Sequence, residues 1–127
     1  MEIKELSGLS WYQLTLDPGV QVHQALADFL EEKDLSHAFI LSCVGSCSRV
    51  NLVFPKTSDI PPELGSVEYN GLFEINGIIG DVKRVGKEIK VHLHGSFTQE
   101  GKKVFGGAVR EGTTIFKMAE LVIAGKA

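Results

Sequence analysis

The chain has 127 residues, 43% apolar and 23% charged, with a formal net charge of −3; this is ordinary globular usage, in a length that can bury a substantial core as a single domain over residues 1–127. The acidic balance, with a pI near 5.8, argues against a broad nucleic-acid-binding surface, because duplex affinity comes largely from Lys and Arg on phosphates. MEIKELSGLSW has no basic segment leading into an apolar one, and no apolar run approaches the roughly 18 to 20 residues of a bilayer span, so a soluble cytoplasmic protein without a membrane segment is expected.

LSWYQLTL alternates apolar residues (Leu9, Trp11, then Leu14, Leu16) and stops at Asp17-Pro18-Gly19, which reads as a strand ended by a turn. Val22, Ala25, Leu26, Phe29 and Leu30 then recur at helical spacing, predicting an amphipathic helix that faces a core. Its acidic residues gather at the C-terminal end, against the helix dipole, so a compensating contact is expected there.

HAFILSCVGSCSRVNLVF is too continuously apolar for a one-sided strand and predicts one or two largely buried strands, with a bulge or sharp bend at Gly45. Cys43 and Cys47 fit the reducing compartment as thiols; four residues apart on a strand they stand about 13 Å from each other, too far for a disulfide. PKTSDIPPELG holds three of the four prolines and must be a loop. SVEYNGLFEINGIIGDV, KEIKVHLHGSFTQ, KVFGGAVREG and TTIFKMAELVIAG follow as β-rich segments, the last three set apart by short turn-like pieces. Lys83, Arg84 and Lys87, with Lys90 beyond, form the densest basic cluster and read as a solvated turn. The result is an α+β domain: a mostly antiparallel sheet of about six or seven strands with one main helix packed on it. The final strand is apolar enough to be central or to lie at an interface.

Few residues announce chemistry. His92 and His94 in VHLHGSF are two apart on a strand, so their side chains share a face and can converge on one metal such as zinc, but they are half a site. His23 and His37 are the remaining histidines and the alternatives for a third ligand. Glu74, flanked by Phe73 and Ile75, is read either as a cross-strand partner of a Lys or Arg or as a group in a polar pocket. Gly106-Gly107 leaves room for a ligand or a neighbouring chain and lacks the pattern of a phosphate loop. No nucleophile elbow and no Cys-x-x-Cys pair is present.

Taken in order, GLFEINGIIG (71–80), VHLHGSF (91–97), VFGGAVREG (104–112) and a closing Glu120-Leu121-Val122-Ile123 resemble the PPC domain, the plants-and-prokaryotes-conserved domain. The helix and the VGSCSRVNL strand fit as well, so the resemblance covers residues 8–124. It implies an antiparallel α+β fold assembled as a homotrimer. In plants the domain accompanies an AT-hook as an oligomerisation and partner-binding module; stand-alone prokaryotic members are labelled as candidate DNA-binding proteins. No Arg-Gly-Arg-Pro core of an AT-hook occurs here. Many prokaryotic members resemble one another in a metal site with two histidines of His-x-His and a third from Gly-Gly-His. His92 and His94 match the pair, whereas the third position is Ala108, which cannot ligate. The expectation is an oligomeric, DNA-associated or regulatory interaction module without catalytic residues. The alternative is a metal-dependent enzyme or small-molecule binder with a pocket of Glu74, His92, His94, Gly106 and Gly107.

Overall fold

A computed structural model describes residues 1–127. The elements run β1 (Leu9–Leu16), α1 (Val22–Glu32), β2 (His37–Pro55), β3 (Leu64–Val85), β4 (Glu88–Gln99), β5 (Lys103–Val109) and β6 (Thr114–Lys126). All six strands form one antiparallel sheet in the order β1-β6-β2-β3-β4-β5, as the short connections require. The sheet also curls back on itself. Leu52 and Val53 of β2 pair with Val109 and Ala108 of β5, closing β2 to β5 into a small barrel at one end.

The apolar stretch from residue 37 onward is one 19-residue strand rather than two. Its length is possible because it bends: register shifts fall at Ile40/Ser42, Gly45/Cys47 and Cys47/Arg49. Gly45 allows the middle one. It has φ +151°, and a Cβ there would run into the carbonyl oxygen of Met118 on β6, so only glycine lets the two backbones approach. The third segment is likewise longer than its apolar pattern, reaching from Leu64 through Arg84 to Val85. β6 lies between β1 and β2, a central strand as its composition predicts.

One face of the sheet is closed by α1. Val22, Leu26 and Leu30 are fully buried and Phe29 nearly so, in one cluster with Ile40, Ile78, Leu93, Phe97, Leu121 and Ile123. Each such side chain contributes roughly 1.5–3 kcal/mol by leaving water. The compensating contact at the helix C-terminus is Arg84: its Nη1 lies 2.9 Å from Glu31 Oε1, and its Nε donates to Leu35 O at 3.0 Å. Arg84 is therefore not part of a purely solvated basic turn. Cys43 and Cys47 both point into the core and are free thiols.

The opposite, outer face has no such cover. Val44, Ile79, Phe116 and Val122 each follow a buried core residue and Trp11 precedes the half-buried Tyr12, and all five are exposed, Trp11 and Ile79 by 66% and 57%.

Candidate functional site

His92 and His94 flank Leu93, which is buried, so strand alternation puts both imidazoles on the outer face. Their ring centroids are 5.3 Å apart at 84°. His92 is open to solvent, with 75% of its side chain exposed. The neighbouring strands fix what surrounds the pair. Across from His92 is Asp81 of β3; His94 has Ile79 on that side and Ala108 of β5 on the other.

Asp81 is the group that sequence reasoning missed. Its Oδ2 accepts a hydrogen bond from His37 Nε2 at 2.6 Å, and its Oδ1 lies 3.9 Å from His92 Nδ1. His37 in turn packs on Phe39, with ring centroids 4.2 Å apart. One carboxylate thus stands between two histidines brought from β2 and β4. The sequence holds no local signal for this, because residues 37, 81 and 92 meet only through the pairing of three strands.

Side chains able to ligate do not converge further. No three His, Cys, Asp or Glu residues are grouped so as to hold a metal ion. Ala108 stands where a third imidazole would meet His94, and it offers no lone pair. Asp81 is turned toward His37. The residues present do not fit a resident metal ion.

The other members of the expected pocket lie apart from the pair or serve the backbone. Glu74 opposes Ser46 on β2 and Thr98 on β4, four residues along β4 from His94. It forms no ion pair with a Lys or Arg, so the cross-strand salt-bridge expectation is corrected. Instead it lines a separate cleft of about 450 Å³ with Leu72, Thr98, Phe116 and Lys117. Gly106 and Gly107 are within β5, opposite Ser96 and Gly95. A Cβ on Gly106 would collide with the carbonyl oxygen of Gly95, so that glycine makes room for β4 itself.

His23 is distant from this face. It lies at the start of α1 in a cleft of about 440 Å³ lined also by Gln21, Gln24, Ala27, Ile89, Lys90, Val91, Arg110 and Glu111. Its Nδ1 is buried without a hydrogen-bond partner. Burial lowers the His23 pKa below its ordinary value, Glu111 opposes that shift, and Arg110 adds to it. The thiols are chemically quiet: burial pushes Cys43 and Cys47 up to about 12, the charge of Cys43 adding to the shift at Cys47. No helix is long and apolar enough to cross a membrane.

The model of the Plants and Prokaryotes Conserved (PCC) domain matches residues 3–125. The bifunctional protein GlmU of a Synechococcus strain is 30% identical over 116 residues, covering 91% of this chain; the chain spans only 17% of that relative's length. The metal-containing protein AF0104 of Archaeoglobus fulgidus has the same fold, with a TM-score of 0.83 at 23% identity, over 100% of this chain and 87% of that one. A candidate DNA-binding protein of Bacteroides thetaiotaomicron superposes with a TM-score of 0.80 at 16% identity, over 96% and 81% of the two chains.

Proposed function

The chain belongs to the Plants and Prokaryotes Conserved (PCC) domain family, and from that membership we propose that it works as a homotrimeric interaction module, DNA-associated or regulatory, assembled through its outer sheet face. The observation that carries this reading is the apolar character of that face. Trp11, Val44, Ile79, Phe116 and Val122 stand exposed on the side that α1 does not cover, interspersed with polar residues such as Glu120 across from Val44, and exposed apolar surface rimmed by polar residues marks association sites. The number three comes from the family resemblance. A formal charge of −3 favours association with DNA through a partner protein over direct contact with phosphates.

Light scattering at micromolar concentration tests the assembly. The expected mass is that of a trimer of 13.8 kDa chains; a monomer would refute it. Titration with duplex DNA at moderate salt tests the other half, and tight binding that weakens steeply with salt would replace the partner-mediated reading by a direct one.

The alternative of a metal-dependent enzyme is less well supported, since His92 and His94 lack a third donor within the chain. A carboxylate, a histidine from a neighbouring copy or water in the third position would restore it.

A further inference from the structure

We propose that Asn70-Gly71 is a site of spontaneous modification, where the asparagine loses its side-chain nitrogen as ammonia and becomes isoaspartate or aspartate. Asn76-Gly77, the same dipeptide further along β3, is held against the same reaction.

The chemistry asks for a nucleophile and for freedom to reach its target. The backbone nitrogen of Gly71, giving up its proton to solvent, attacks Cγ of Asn70. A C–N bond forms, the bond from Cγ to the amide nitrogen breaks, and ammonia leaves. Water then opens the cyclic imide at either carbonyl, giving isoaspartate or aspartate. Asparagine is thermolabile for this reason, and a following glycine favours the attack because no Cβ shields its nitrogen and its backbone turns freely. Of the asparagines in the chain, those at 70 and 76 precede glycine and Asn51 does not.

Both dipeptides lie within β3, where extended backbone keeps the nitrogen from the side chain, so each must first leave the strand locally. Three observations make that opening easier at Asn70. First, β4 pairs with β3 only from Glu74 onward, so Asn70-Gly71 has β2 alone beside it, whereas Gly77 is also paired with Ser96 of β4. Second, the pairing of β2 with β3 steps from Cys47↔Phe73 to Arg49↔Asn70, which leaves Gly71 and Leu72 without ladder partners. Third, the two carboxamides are held differently. Asn76 Nδ2 donates to Thr98 Oγ1 at 2.7 Å and to Ser96 Oγ at 3.3 Å, and its Oδ1 accepts from Thr98 Oγ1 at 3.1 Å. Asn70 Nδ2 has one long contact, 3.4 Å to Glu68 Oε2. Asn70 and Gly71 are both exposed, so water reaches the imide.

The product changes this edge of the molecule. A new carboxylate appears beside Glu68 and across the ladder from Arg49, which lies 3.6 Å from Glu68. Isoaspartate also lengthens the backbone by a carbon where the register is already offset. The class of partner that reads such a mark is an enzyme that methylates isoaspartyl carboxylates.

The test is incubation of the native protein in warm, mildly alkaline buffer, with both sites followed by tandem mass spectrometry and the chain unfolded in guanidinium chloride as reference. Unfolded, the two dipeptides should convert at similar rates. In the native protein Asn70 should convert at least about tenfold faster than Asn76, whose hydrogen bonds must also be broken. Thr98→Val removes the shortest contacts of Asn76 and should speed conversion there without altering Asn70. Asn70→Gln, which keeps the amide but lengthens the side chain, should abolish conversion at 70 and leave Asn76 slow. The comparison of the two sites within the parent needs no variant to fold. Equal native rates at the two sites, or an Asn70 that stays intact while the unfolded chain converts, would overturn the proposal. An Asn76 indifferent to Thr98→Val would overturn the account of its protection.

Discussion

Ala108 stands directly across from His94 in the pairing of β4 with β5, so a single methyl group occupies the place on the outer face where a third donor would join His92 and His94. Ala108→His is expected to put a third imidazole on that face and to give zinc three histidine donors with a position left for water. Elemental analysis of protein carrying no affinity tag should find stoichiometric zinc in the variant and none in the parent. At zinc about a hundredfold above its dissociation constant, linkage would add roughly 2.7 kcal/mol of stability, visible as a zinc-dependent rise in Tm. A variant that folds and takes up no zinc would show that the pair is not preorganised for a metal.

Ile79 and Val122 are the residues through which to test the outer face. Both are exposed, by 57% and 41%, so an aspartate at either position leaves the fold of the single chain intact. At the centre of an assembled interface the same change buries an unpaired carboxylate, which costs several kcal/mol per site. Ile79→Asp and Val122→Asp are therefore expected to bring the mass in solution down to that of one chain at micromolar concentration, with an unchanged far-ultraviolet spectrum. A trimer that survives both substitutions would move the interface elsewhere.

The local parts of this architecture were legible because their causes are local. The spacing of Val22, Leu26, Phe29 and Leu30 dictates the helix and its buried face, and alternation around Leu93 dictates that His92 and His94 share a side. The bend at Gly45 could be expected, since a glycine amid small residues in an apolar strand marks close approach. What stayed hidden depends on register between strands distant in sequence. Asp81 meets His37 and His92 only once β2, β3 and β4 are aligned, and Glu74 leaves the pair because it opposes Thr98 rather than His94. The cleft at His23 joins residues 21–27, 89–91 and 110–111, a combination without a periodicity or motif to announce it.

Cys43 and Cys47 give a test of how tightly the core is closed. Both are fully buried, and burial pushes each thiol up to about 12. Near neutral pH their thiolate fraction is lower than that of an ordinary cysteine by roughly three orders of magnitude. Labelling of the native protein with a thiol reagent is expected to be slower than labelling in denaturant by at least that factor, with both cysteines following the same rate. Rapid labelling of either one in the native state would show that β2 opens locally around Gly45.

His23 predicts how stability depends on pH. Its folded pKa lies below the ordinary value of 6.5, chiefly through burial. Above about pH 6.5 the imidazole is neutral in both folded and unfolded chains and makes no difference between them. As pH falls below that value the unfolded chain takes the proton first, so folding stability declines until the folded pKa is passed and then levels off. Glu111 limits the loss and Arg110 increases it. In His23→Gln this component disappears, so urea denaturation at about pH 7.5 and 5 should show a smaller fall in stability for the variant than for the parent. Equal falls in the two proteins would place the acid sensitivity on the carboxylates instead, and would mean that His23 is protonated within the folded cleft as readily as in the unfolded chain.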